Sequence, residues 1–485
     1  MRYKILSVFG ALAAITACAD LTSINQNPNG PLDVPPPSIL PSVIQTVVGN
    51  INGVTSLNIR GGGLWVQYYS EIQYRDEDKY IVRSGTSGGW NLYNGGLEDI
   101  QRMIAKGEAS KTPNWSAVGR IMKSYTYSVM TDAMGALPYS QALRGDTNLA
   151  PVYDTQQQIY NGMLADLAQA NTEIDLAGFG FPKGDLMYGG KMIRWKRFAN
   201  SLRLRLAIHL SKVDAAKAAS EATAAVAAGV FVSDSDNAQL MYLATSPNRN
   251  PIYNDARGRD DYGMSKTFVD SLKSWNDPRL PIFAQLNKDT IVANRTYQGL
   301  PNGLNDGEGT NLFYISRIGA FWRETPNAPM ALLTYSEVLF LEAEAAERGW
   351  IAGSAATLYA AAITASFKQY GITSPAVVSA YLADPRVAYA GGAAGLTQIA
   401  YQKWVSLFMQ GAESWTEVRR TGVPSLVPGP RAVFGAGVPG KIPERLPYDD
   451  NEAVLNKANL DAAVAAQGFS AGNDIQKPLW FTGRQ

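Results

Sequence analysis

The stretch Leu332 to Gly371, LLTYSEVLFLEAEAAERGWIAGSAATLYAAAITASFKQYG, constrains the fold most. It reads as two helices joined by a short turn. Thr334 followed by Glu337 is a capping box, which would satisfy two orphan N–H groups reciprocally. Leu333 and Val338 occupy the staple positions on either side of that start. Tyr335, Val338, Leu339 and Ala346 then share one helical face. Glu344 and Arg348 are spaced as an i,i+4 pair on a more polar face, worth about 0.3 kcal/mol. Gly349 suits the left-handed residue after a helix end. The second helix carries Ala355, Ala356, Ala360, Ala361, Ala362 and Ala365, small enough for a neighbouring helix to come close. Such a pair cannot bury its apolar face alone, so it implies stacked neighbours.

Neighbours of that kind are legible upstream. The spacing predicts helices over 38–50, over 113–134 with Thr112 before it and Gly135 after it, over 154–177, over 193–212 and over 214–228. In the fourth of these, Trp195, Phe198, Leu202 and Leu206 form one stripe, flanked by Arg203 and Arg205. From Phe231 to Ala331 the periodicity weakens and Pro, Gly, Asn and Asp become frequent, with one short helix over 265–275. A stretch that long without regular structure reads as a loop-rich functional insertion. Ile399 to Arg420 reads as one last long helix.

The first residues have a different character. Arg2 and Lys4 precede an apolar run, Ile5 to Ala17, too short to span a bilayer. It ends in Ile15-Thr16-Ala17-Cys18, which looks like the lipobox of bacterial lipoproteins, with Cys18 as the acylated residue. Residues 1–17 are therefore expected to be a signal peptide, 18–41 a proline-rich tether and 42–485 one domain. Cys18 is the only cysteine, so no intrachain disulfide is possible. Without the leader the chain has 41 basic and 42 acidic residues, a balance that gives no electrostatic reason to expect nucleic acid.

Aromatics concentrate in one place. Trp65, Tyr68, Tyr69, Tyr74, Tyr80, Trp90 and Tyr93 are seven of 29 residues, against 10% aromatic in the whole chain. Arg75, Asp76, Glu77 and Asp78 lie among them. Flat rings beside hydrogen-bonding groups suit a sugar, whose C–H face stacks and whose hydroxyls bond; the same rings could equally pack between helices. Gly85-Thr86-Ser87-Gly88-Gly89 matches the G-x-S-x-G elbow, but the alternating strands and helices of that hydrolase class are missing, and the only histidine, His209, falls within a helical pattern. One histidine and one lipobox cysteine leave no ordinary zinc site. Asp234/Asp236/Asn237 and Asn305/Asp306/Glu308 are oxygen-rich turns without EF-hand spacing, open to calcium or to plain solvation. A glycosidase would need two carboxylates facing each other across a sugar, and no stretch argues for such a pair.

Several segments together resemble the SusD/RagB family of outer-membrane lipoproteins: MTDAMGALPYSQAL (130–143), RWKRFANSLRLRLA (194–207), DPRL (277–280), SEVLFLEAEAAERGW (336–350), QKWVSLFMQGAESWTEVRRTGVP (402–424) and RLPYDDNEAVLNKAN (445–459). They come in the family's order, behind a lipobox, and look nearest to its SusD-like, starch-binding-associated subgroup. Ala136, Gln141 and Asp449 depart from its usual Asp, Glu and Pro, which puts any polar role at those positions in doubt. The resemblance implies a mainly α fold, a tetratricopeptide-like helix-pair scaffold with long loop-rich insertions; the step from Ile363 to Phe367 is similar to the second-helix face of such a repeat. It implies a lipid-anchored, surface-exposed binding protein, not an enzyme and without a cofactor. Its implied role is to capture glycan, or in some members peptide, for a SusC-type TonB-dependent channel. On that reading Trp65, Tyr69, Trp90 and Tyr93 are expected to contact ligand, with Tyr253, Arg257 and Tyr262 as a second group. A helical-repeat adaptor for protein partners, and a glycan hydrolase, are the alternatives.

Overall fold

The helix pair predicted from Leu332 onward forms as α9 (Tyr335–Glu347) and α10 (Ala355–Gln369) in the computed structural model, which describes residues 34–82, 89–309, 311–434, 440–469 and 474–485. Gly349 takes a φ of +73°, and an inter-helix core of Phe340, Ala343, Tyr359, Ala362, Ile363 and Phe367 fills the space that the alanines leave. The capping box forms only in half. Thr334 Oγ1 accepts the Glu337 N–H at 3.2 Å, but the Glu337 carboxylate turns inward to Arg205. Glu344 is likewise no surface residue; it is buried and bonds both Arg348 and Arg420.

Further segments of the chain make regular helices and strands around this pair. Upstream of the pair lie α1 (Pro36–Asn52), α2 (Glu98–Ala109), α3 (Pro113–Met134), α4 (Gln156–Glu173), α5 (Met192–His209) and α6 (Ala215–Ala228). Each of α2 to α6 packs on its predecessor, and α5 packs against α9. That is the stacking of helix pairs the sequence calls for. The first six residues of α1 were expected in the tether, yet Pro36 and Pro37 fall in its first turn, where proline is tolerated, and Leu40, Val43, Ile44 and Val47 are wholly buried, which holds the helix through Pro41.

The segment from Phe231 to Ala331 is loop-rich as expected, with α7 (Pro251–Gly258) and α8 (Lys266–Ser274) in it. Four short strands close it onto the scaffold. β1 (Tyr69–Glu71) pairs antiparallel with β3 (Tyr262–Met264), Ser70 opposite Gly263. β2 (Ala238–Leu240) pairs antiparallel with β4 (Met330–Leu333).

After the short α11 (Pro375–Leu382), the expected last long helix is two, α12 (Gly392–Ser406) and α13 (Gly411–Thr421). Met409, at φ +71°, breaks it. The break points Phe408 into a cluster with Phe283 at 4.5 Å, Phe268 at 5.2 Å and Tyr68 at 5.5 Å. It also brings Gly411 against the backbone of 58–63, where a Cβ would stand 2.3 Å from the Asn58 oxygen. The Gly61-Gly62-Gly63 run is explained by the same approach, since a Cβ on Gly62 would meet the Gly411 oxygen at 2.3 Å. Helix α14 (Lys457–Ala466) ends the helical part. Among the described residues no helix is long and apolar enough to cross a membrane. The leader, Cys18 and Ser87 of the G-x-S-x-G run lie outside the described residues.

Candidate functional site

The aromatic-rich stretch divides into a buried half and a half-exposed half. Trp65 and Tyr69 are 1% and 0% exposed. Trp65 meets Trp415 edge-on at 4.7 Å and donates to the Glu77 carbonyl at 3.1 Å. Tyr69 packs on Phe408 at 5.4 Å and sits in β1. Neither offers a ring face to a ligand, so the expected contact at these two residues is corrected to a core role. The physical cause is their place between α13 and the loop-rich segment, where large apolar rings are the cheapest filler. Tyr262 is also buried, opposite Glu71 in the β1–β3 pair, and is corrected in the same way.

Trp90 and Tyr93 are different. They lie on two short turns that lead into α2, Gly89–Asn91 and Tyr93–Leu97. The second turn is seated on α1, because Gly95 and Gly96 leave room for Thr46 and Val47. Both rings are half-buried and line a cleft of about 330 Å³. Trp90 lies 5.1 Å from Tyr93, stacks near-parallel with Tyr153 at 6.4 Å and meets Tyr448 edge-on at the same distance. The Tyr93 hydroxyl donates to the Pro138 carbonyl at 2.6 Å. The Tyr153 hydroxyl donates to Glu452 at 2.6 Å, and burial followed by that carboxylate holds its pKa well above the usual tyrosine value.

The opposite wall is the turn after α3. Asp154 fixes it by accepting from the Tyr139 and Ser140 N–H groups at 3.1 and 2.7 Å. Pro138, Ala142, Leu143 and Asn148 thereby face the cleft, while Glu452 and Asn456 come from the C-terminal segment. Two stretches quoted for their family resemblance, 130–143 and 445–459, thus meet here. Sequence reasoning did not name Glu452, which lines the cleft, nor Tyr153 and Tyr448, which pack behind Trp90. Tyr448 and Glu452 stand inside one of those stretches, which was the available signal; Tyr153 had none. At the departing position Ala136, the backbone oxygen accepts the Tyr448 hydroxyl at 2.8 Å, so the missing carboxylate leaves the turn anchored through main chain.

The cleft carries two carboxylates, Glu98 and Glu452. Arg102 engages the first at 2.5 Å and Tyr153 the second. Tyr253 and Arg257 lie elsewhere, stacked on each other with the guanidinium 4.5 Å from the ring. The oxygen-rich turns are already engaged. Asp236 is buried and pairs with Arg197 at 3.2 Å, Asp234 pairs with Lys368 at 3.2 Å, and Glu308 pairs with Arg431 at 2.8 Å.

One further group could be mistaken for a metal centre. His209, Glu413 and Glu417 bring ligand atoms within 4.8 Å of one another. The carboxylates, however, face Arg205 at 3.5 Å, Lys403 at 2.5 Å and Arg420 at 2.7 Å. Burial lowers the His209 pKa, but Glu413 and Asp132 outweigh it and lift it to about 9. A protonated imidazole between balanced charges is an ion-pair strut, not a ligand to a cation.

Residues 28–449 match the model of a family described as SusD-like, starch-binding and associating with the outer membrane. The fold is similar to that of a chitin-binding protein, at 30% identity and a TM-score of 0.80, covering 92% of this chain and 99% of that one. It is similar to a SusD homologue from Bacteroides fragilis, at 27% identity and a TM-score of 0.79, covering 93% and 100%. A chitin-binding SusD homologue from Flavobacterium johnsoniae gives 26% identity and a TM-score of 0.78, covering 92% and 97%. No curated protein sequence matches.

Proposed function

The chain belongs to the SusD-like family of starch-binding proteins that associate with the outer membrane, and on that premise we propose that it captures an oligosaccharide in the Trp90 cleft and passes it to a SusC-type TonB-dependent channel. The observation that carries the reading is the half-exposed wall of Trp90 and Tyr93, backed by Tyr153, in a cleft that also carries Asn94, Asn148 and Asn456. A sugar ring stacks its C–H face on such a wall, while amides donate to and accept from its hydroxyls. Two of the similar structures are named for chitin binding and the family for starch, so amino sugars and starch-type glucose oligomers are the first classes to try. Binding without hydrolysis fits the cleft, because both of its carboxylates are already engaged by neighbours. A glycosidase needs one carboxyl free to give up a proton.

Titration with chitin-derived and starch-derived oligosaccharides tests the reading. Trp90→Ala should weaken binding by about 30-fold, the ~2 kcal/mol typical of a stacked aromatic anchor. Its melting temperature should stay near that of the parent. Unchanged affinity, or a variant that melts many degrees lower and binds normally when folded, removes Trp90 from the site. Delivery is tested separately, by whether a TonB-dependent channel co-purifies from outer membranes with the full-length protein.

A further inference from the structure

A second hollow, of about 440 Å³, opens between the loop after β1 and the loop after α7. It shares no lining residue with the Trp90 cleft. Its walls carry Arg257, Arg259, Lys288 and Arg323 against a single carboxylate, Asp260. Asp260 is shared by two arginines, Arg317 at 2.8 Å and Arg323 at 2.9 Å, and Arg259 pairs with Asp261 just outside at 2.6 Å. Among the described residues no ion pair joins Arg257 or Lys288 to a carboxylate. The hollow therefore keeps a surplus of positive charge.

Arg257 is held in place. Its guanidinium lies over the Tyr253 ring, 4.5 Å from the centroid, and donates to the Arg323 carbonyl at 2.8 Å. At the rim stands Tyr74, 63% exposed, with the Arg259 guanidinium 5.6 Å from its ring centroid. Tyr74 adopts a φ of +58°, a left-handed conformation that costs a side chain of this size ~1 kcal/mol or more and that persists where the surroundings impose it. A solvent-exposed aromatic ring held in a strained conformation at the rim of a cationic hollow is a feature of recognition surfaces.

We propose that this hollow is a binding site for an anionic sugar, its carboxylate or sulfate received by Arg257 and Lys288 and its ring laid on Tyr74. Arginine presents a planar fork that matches either oxyanion, and lysine supplies a mobile point charge beside it. The sugar half of the inference rests on the glycan reading above; the anion half does not.

The test uses the folded protein and three probes: an oligogalacturonide, its neutral methyl ester and a sulfated galactan oligosaccharide. The free acid, the sulfated probe or both should bind at least about tenfold more tightly than the ester, and raising salt from about 0.05 to about 0.3 M should weaken that binding. Which acid binds better separates the two oxyanions. The double variant Arg257→Ala, Lys288→Ala should lower anionic binding about tenfold or more, while Tyr74→Ala lowers it for any sugar at this hollow. All three positions are exposed, so the melting temperature checks that the variants stay folded. Trp90→Ala should leave anionic binding intact, which keeps a failure of the Trp90 cleft distinct from a failure here. Failure of both the free acid and the sulfated probe to bind more tightly than the ester, insensitivity of the anionic binding to the double variant, or no binding of either anionic probe overturns the proposal.

Discussion

Trp65 and Trp90 come from the same aromatic-rich stretch and do opposite work. The indole of Trp65 is enclosed by Trp415 and bonded to a carbonyl, so its truncation would open a cavity and orphan a backbone acceptor. Such a change costs ~3–5 kcal/mol of stability. Trp90 has one wall of protein and one of solvent. Comparing Trp65→Ala with Trp90→Ala in a thermal melt and a glycan titration is therefore decisive: the first should lose stability and the second affinity. If both lose only stability, the aromatic stretch is core throughout. The division follows from the chain's path, since Trp65 precedes β1 and is pulled under the α13 helix, while Trp90 sits on turns at the margin of α1 and α2.

Among the elements, the contact between α13 and the segment from Leu57 to Trp65 depends on backbone approach. Gly62 and Gly411 face each other with no room for a Cβ on either. Gly411→Ala is expected to force the two segments apart and destabilise by ~1–3 kcal/mol, the usual penalty of overpacking, read as a lower melting midpoint. A midpoint equal to the parent's would show that the segments yield freely. The helix pairs are tied by charges as well as by apolar faces. Arg205 on α5 meets Glu337 on α9 at 2.6 Å, and Arg420 on α13 meets Glu344 on α9 at 2.7 Å, all four buried. Burial raises the Glu337 pKa to about 7 despite Arg205, whereas Arg420 and Lys403 outweigh burial at Glu344 and hold it near 2. Each pair fixes which helices are neighbours, because an unmatched partner would leave a charge buried.

For the molecule as a whole, the buried proton on His209 makes stability depend on pH. Its folded pKa of about 9 lies above the ordinary 6.5, so the folded state binds the proton more tightly. The stabilisation is complete below pH 6.5 and is lost as pH rises towards 9, by up to about 3 kcal/mol. The raised carboxyl groups Glu337 and Glu342 act in the same direction over lower pH, since each holds its proton longer in the folded state. The melting temperature should therefore fall between pH 6.5 and 9, and His209→Gln should flatten that fall. A profile that keeps its slope in the variant would place the titration elsewhere. At the same scale, Cys18 is expected to fix the protein to the membrane. Several acyl chains give stable attachment where one gives little. Cys18→Ser should leave the outer-membrane fraction and stop partitioning into detergent; retention there would refute the anchor.

The sequence by itself determined the stacked helix pairs, because periodicity, caps and small-residue faces are local properties that each segment carries with it. It also placed the loop-rich insertion between residues 231 and 331, where periodicity stops. Only the tertiary structure decided which aromatics face solvent, since Trp65 and Trp90 are chemically alike and differ in what folds over them. It alone broke the helix at Met409, where packing Phe408 among rings far away in sequence outweighed local helical preference. It drew Glu337 and Glu344 inward to arginines on distant helices, a pairing invisible to i,i+4 spacing. The Trp90 cleft itself joins residues from 90 to 456, and a site assembled across that separation exists only once the helices have packed.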